Sequence, residues 1–155
     1  MFVPRSGGRF QVKLSAEAKR GIVALAEELD AIQSTDRPEV RRLFPTAYAE
    51  DAERDAGYQV FARDQLIEQR REAVDIIRRT ADAEFLTVEE LSAWMGVLND
   101  LRLVIGTMLD VSEDDHDIDL DSPDADSQLL YRYLGEVVHG IVEALTTALP
   151  EPETS

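Results

Sequence analysis

The residues best placed to do chemistry lie in one acidic stretch, DVSEDDHDIDLDSPDAD at positions 110–126, where nine of seventeen side chains are carboxylates. Asp115, Asp117 and Asp119 match the first three ligand positions of an EF-hand calcium loop. The match then fails: position six is Leu120 where glycine makes the sharp turn, and position twelve is Asp126 where a bidentate glutamate is usual. His116 sits among these carboxylates, which favour its protonated form. A His-and-Asp metal site is conceivable there, but a self-repelling loop fixes no ligand geometry, so loose screening by divalent ions is the plainer expectation. His139, the second of two histidines, lies between Val138 and Gly140 on an apolar helical stretch and is expected to pack or cap.

Other catalytic patterns are missing. The chain holds no Gly-x-Ser-x-Gly elbow, phosphate-cradling glycine loop or His-Glu-x-x-His pair. It contains no cysteine, which removes disulfides, thiolate metal sites, cysteine nucleophiles and thiol redox sensing together. Paired carboxylates carry little information among 32 acidic residues. The expectation is a protein that is not an enzyme and holds no cofactor. The alternative is a metal-dependent enzyme, or a divalent-metal-binding protein, using the acidic loop.

Basic chemistry is concentrated in Arg63, Arg70, Arg71, Arg78 and Arg79, within a third main helix. Asp64, Glu68, Glu72, Asp75 and Asp82 are threaded through the same segment. Arg71 with Asp75, and Asp75 with Arg79, have the i,i+4 spacing of intrahelical pairs. An exposed face laced with salt bridges is therefore favoured over a phosphate-binding stripe. The whole chain carries 16 basic against 32 acidic residues, a net charge of −16, so direct nucleic-acid binding is not expected.

The elements that must position these residues read as a bundle. Phe2 and Val3, then Phe10, Val12 and Leu14, alternate about Gly7-Gly8 and predict a short N-terminal hairpin on the outside. Ser15 is the expected N-cap of a helix over 16–33, with Ile22, Leu25, Ala26, Leu29 and Ile32 on one face. Pro38 opens a short helical turn through Leu43, which Pro45 closes. Residues 46–57 are ambiguous, with Gly57 marking a boundary. The apolar period resumes over 58–82 at Phe61, Leu66, Ile67, Val74, Ile76 and Ile77.

The strongest start signal is the capping box of Thr87 and Glu90, with Leu86 and Leu91 as a hydrophobic staple. The helix it opens, 88–109, is apolar nearly all round, as suits the middle of a bundle. Within it Asn99-Asp100-Leu101-Arg102 must find polar partners. Asp100 and Arg102 point about 200° apart, so each should reach a different neighbour: Asp100 an arginine or backbone amides, Arg102 a carboxylate or helix-end carbonyls. Gly106 suits a close helix crossing. Ser122-Pro123 reads as N-cap and first turn of a last helix reaching Leu149.

The expected fold is all-α in the main: four to five helices with a short hairpin, one domain over 1–149, an acidic loop at 110–126 and a flexible tail at 150–155. No window carries a signal-peptide core or the ~20 apolar residues of a membrane span, which points by elimination to the cytoplasm.

Residues 94–109, WMGVLNDLRLVIGTML, resemble the hallmark segment of an actinobacterial family of unknown-function proteins. Its members are often encoded beside the Clp-protease adaptor and labelled oxidative-stress transcriptional regulator-like. The lead-in from Phe85 to Trp94 and the apolar C-terminal helix are also similar. The resemblance covers about residues 9–149, and its distinctive core is LNDLRLVIGT. It implies a small non-enzymatic regulator, active in transcription or stress response, that works by binding a protein partner such as the transcription machinery. Asn99, Asp100, Arg102 and Gly106 carry over as motif positions without an assigned role. The cysteine-based sensing that the label suggests cannot operate in a chain without cysteine.

Overall fold

A computed structural model describes residues 1–44, 47–109 and 123–148. The chain is mostly helical, with four substantial helices, one short helical turn and a small three-stranded antiparallel sheet.

Strands β1 (Phe2–Arg5) and β2 (Arg9–Val12) form the expected hairpin, with Phe2 opposite Val12 and Arg5 opposite Arg9. Its turn needs Gly7 at φ +80° and Gly8 at φ +70°, a backbone region that side chains disfavour. A third strand was not foreseen. β3 (Phe85–Thr87) pairs with β2, bringing Phe10 opposite Leu86, and both side chains are buried. The added strand and the helices beneath supply the support that a lone hairpin lacks.

Helix α1 (Ala16–Ile32) starts where Ser15 Oγ accepts from the Ala18 amide at 3.0 Å. A 3-10 turn (Pro38–Leu43) follows, and Pro45, expected to close it, lies outside the described residues. Helix α2 (Ala52–Thr80) overturns the expected boundary at Gly57. Asp51 caps it by accepting from the Arg54 amide at 3.0 Å, and the helix runs through the glycine without interruption. A single interior glycine costs about 1 kcal/mol, which the surrounding Ala52, Glu53, Arg54 and Ala56 tolerate as good helix formers.

Helix α3 (Val88–Leu109) occupies the expected span, and the capping box is formed. Thr87 N donates to Glu90 Oε1 at 2.9 Å, and Glu90 N to Thr87 Oγ1 at 3.1 Å. α3 packs against α1, α2, the 3-10 turn and the final helix, and so is the central element. Trp94, on its core side, is fully buried and donates through Nε1 to Thr80 Oγ1 at 2.8 Å.

Helix α4 (Ala125–Ala148) begins later than expected. Pro123 precedes the helix, and the Gln128 amide donates to the Asp124 carbonyl, which places Asp124 at the cap. Ser122, the acidic loop through position 122 and the tail lie outside the described residues. Among the described residues, no helix is long and apolar enough to cross a membrane.

Candidate protein-binding surface

The motif on α3 divides between two neighbouring helices. Asp100 meets Arg70 of α2, as an arginine partner required: Arg70 Nε donates to Asp100 Oδ2 at 3.0 Å. The same guanidinium donates through Nη2 to the Leu43 carbonyl at 2.6 Å and lies 5.0 Å from the Phe44 ring centre. Its side chain is only 13% exposed, and Nη1 is buried without a hydrogen-bond partner. Burial raises the Asp100 pKa, while the nearby Arg70 charge and its hydrogen bond pull the other way. Leu66, Ala73, Ala93, Gly96 and Val97 share a shallow groove of about 260 Å³ with this ion pair.

Arg102 corrects the expectation of a carboxylate or carbonyl partner. Among the described residues it pairs with none, and its guanidinium instead lies 4.8 Å from the centre of the Tyr131 ring on α4. Its Nε is buried without an acceptor. The guanidinium rests against Gly135, where an added Cβ would sit 3.2 Å from Nε. Tyr131 in turn covers Gly106, where a Cβ would come within 3.2 Å of the ring. The close crossing expected at Gly106 is therefore present, and a second glycine on α4 seats the arginine. Asn99 is exposed on the outer side of α3.

The arginines of α2 fall into two sets. Arg63 and Arg70, two turns apart, face inward, and Arg63 Nη2 donates to the Thr35 carbonyl at 3.2 Å with its guanidinium 4.2 Å from the Phe44 centre. Arg71 and Arg78 reach α1, and neither expected i,i+4 pair, Arg71 with Asp75 or Asp75 with Arg79, is formed. Arg71 Nε lies 3.1 Å from Asp30 Oδ1, and Arg78 Nε 3.2 Å from Glu27 Oε1. Asp75 pairs with Arg78, not with Arg71 or Arg79. The Arg71–Asp30 and Arg78–Glu27 pairs join two helices because α1 lies alongside, a relation that spacing within one helix does not encode.

His139 is neither packed nor capping. Its side chain is 74% exposed on α4, with Nε2 3.4 Å from Glu143 Oε1. His116, Asp115, Asp117 and Asp119 lie outside the described residues. Among the described residues, no group of three or more histidine, aspartate or glutamate side chains is placed to hold a metal ion.

The surface that sequence reading missed is the outer side of α2. Phe61, read from the sequence as part of this helix's apolar period, is 82% exposed, and its neighbour Val60 is 80% exposed. The first fully buried residue of α2 is Ile67, and in the four turns before it only half-buried side chains such as Arg63 and Leu66 turn inward. Tyr58, one turn before Phe61, is exposed and meets Tyr48 edge to face at 6.1 Å. Arg54 lies 4.8 Å from the Tyr48 centre, and Asp55 Oδ1 pins that loop by accepting from the Ala47 and Tyr48 amides at 2.8 and 3.1 Å. The available signal was positional: Phe61 lies two residues from Arg63, on the opposite side of the helix from the inward Arg63, Arg70 and Val74 row.

Residues 5–145 match the model of a family described as a domain of unknown function, DUF2017. No curated protein and no solved structure matches the chain.

Proposed function

The chain belongs to that family, and from this premise we propose that it is a non-enzymatic regulatory protein that acts by docking another protein on the outer face of α2. One observation carries the reading: Phe61 and Val60 stand about four-fifths exposed on a helical segment that fully buries none of its own side chains. Single exposed apolar residues are ordinary, but an aromatic run of Tyr48, Tyr58 and Phe61 flanked by Arg54 has the composition of interface centres. The cap at Asp51 and the Asp55 bonds hold this segment in helical form, so little order must be gained on binding.

The net charge of −16 selects for a partner with basic groups around an apolar centre and against nucleic acid itself. Resemblance to proteins labelled as oxidative-stress regulators supports a role in transcription or stress response, exerted on a component of the transcription machinery. With no cysteine, the signal is carried by binding and not by a thiol switch.

Replacing Phe61 with a photo-crosslinking aromatic amino acid in the native cell tests the proposal. A discrete adduct with a different protein is expected, and none from the same probe at Glu143, an exposed position on α4. Equal labelling from both positions, or none from position 61, would overturn it.

A further inference from the structure

The outer face of α2 carries a pattern that complements itself. Arg54, Tyr58, Phe61, Gln65 and Glu68 recur at spacings of four and three, so they share one stripe, and all five are exposed. Phe61 stands at its centre. Arg54 lies seven residues before it and Glu68 seven after, two helical turns or about 10 Å each way. Among the described residues, no ion pair engages Arg54, Asp64 or Glu68.

We infer that a second copy of this chain docks on this face, the two α2 segments packing antiparallel about a two-fold axis at Phe61. The inference rests on the reading of this face as a protein contact and goes beyond it: a second copy occupies the face when the other partner is absent, and the two compete for Phe61. In that arrangement, residues equidistant from Phe61 face one another. The two phenylalanines meet on the axis, as an isologous contact requires. Arg54 of each copy faces Glu68 of the other, so the seam has two ion pairs from a single stripe. A parallel pairing in register would instead set Arg54 against Arg54 and Glu68 against Glu68. Gly57 assists the approach, because nothing lies within 4 Å of where its Cβ would be, and the helix surface beside Phe61 stays low. The inward row of Arg63, Ile67 and Arg70 is already committed to the body of the protein, which leaves the Phe61 stripe as the side of α2 free to pair.

Two opposing terms set the strength. A seam of four turns lies at the small end of specific interfaces, and each copy carries −16. The dimer is therefore weak and concentration-dependent, and local complementarity sets its orientation.

Sedimentation equilibrium of the full chain, over roughly two decades of concentration about the micromolar range, tests this directly. The wild-type mass should rise from monomer towards dimer. Phe61→Asp should remain monomeric with an unchanged melting temperature. Arg54→Glu and Glu68→Arg should each weaken association by roughly three- to tenfold, because the pair occurs twice by symmetry, and the double reversal should restore it. A wild type that stays monomeric throughout, or a double reversal no better than either single change, would overturn the inference. The two readings separate cleanly: a monomeric wild type that still crosslinks from position 61 to a different protein removes the second copy as occupant and leaves the docking function standing, whereas adducts of this chain with itself alone do the reverse.

Discussion

Arg70 and Asp100, thirty residues apart, meet at 3.0 Å between α2 and α3, and the same guanidinium reaches past the pair to the Leu43 carbonyl. One side chain thus ties together two helices and the turn that leads from the first helix to the second. Removing it leaves a half-buried carboxylate and a backbone carbonyl without their donor. Arg70→Ala should cost on the order of 3 kcal/mol, read as a lowered midpoint in urea denaturation. A change of less than about 0.5 kcal/mol would show that the contact is decorative.

The same pair sets a pH dependence. Burial holds the folded Asp100 pKa above its ordinary value despite Arg70. A carboxyl with a raised folded pKa binds its proton more tightly when folded, so its contribution is fully present below the unfolded value of about 4 and is lost as pH rises through the folded value. Asp100→Asn lacks that titration. The difference in unfolding free energy between the two proteins should move in favour of the asparagine variant as pH rises through this window. Parallel curves, or a drift in favour of wild type, would contradict the assignment.

Arg102 behaves differently because it has a ring as its partner and not a described carboxylate. Its removal strands no buried anion among the described residues, so Arg102→Met, which keeps the stem, should cost only about 0.5–1 kcal/mol for the lost cation–π contact. Gly106→Ala should cost more, about 1–3 kcal/mol, since its Cβ would press on Tyr131 at 3.2 Å within a packed crossing. Thermal melts of the two variants side by side check the order. Arg102→Met as the more damaging change would show that the guanidinium has a buried polar partner.

Trp94 is the sole tryptophan and is fully enclosed. Its emission should be blue-shifted and shielded from iodide. Thr80→Val removes the acceptor 2.8 Å from the indole nitrogen and should lower stability by about 1–2 kcal/mol while leaving the shielding intact. Free quenching in the folded wild type would contradict the burial of α3.

What the sequence disclosed depended on how local the cause was. Ser15 and the pair of Thr87 and Glu90 act within three residues, and both caps formed where they were expected. The 3.6-residue period located α3 and its fully buried Trp94. β3 escaped notice because three residues are too few to show an alternation, and its identity as a strand comes from pairing with β2. Gly57 misled because a glycine signals a break only when its neighbours do not sustain the helix. Arg71 was assigned to Asp75 on spacing, but Asp30 of α1 was nearer in space. The candidate surface was least legible of all. Phe61 fits an apolar period, and periodicity says which side chains share a face without saying whether another element covers it.

Whether this protein meets its partner on the outer face of α2 is decided by affinity capture from the native cell with wild type and Phe61→Asp in parallel. The exchanged side chain is 82% exposed, so both proteins should melt at the same temperature. Quantitative mass spectrometry should then find a specific protein retained by wild type and depleted at least roughly tenfold in the variant, as truncating an interface centre by more than about 1.4 kcal/mol requires. Equal retention by two equally stable proteins would show that the partner binds elsewhere.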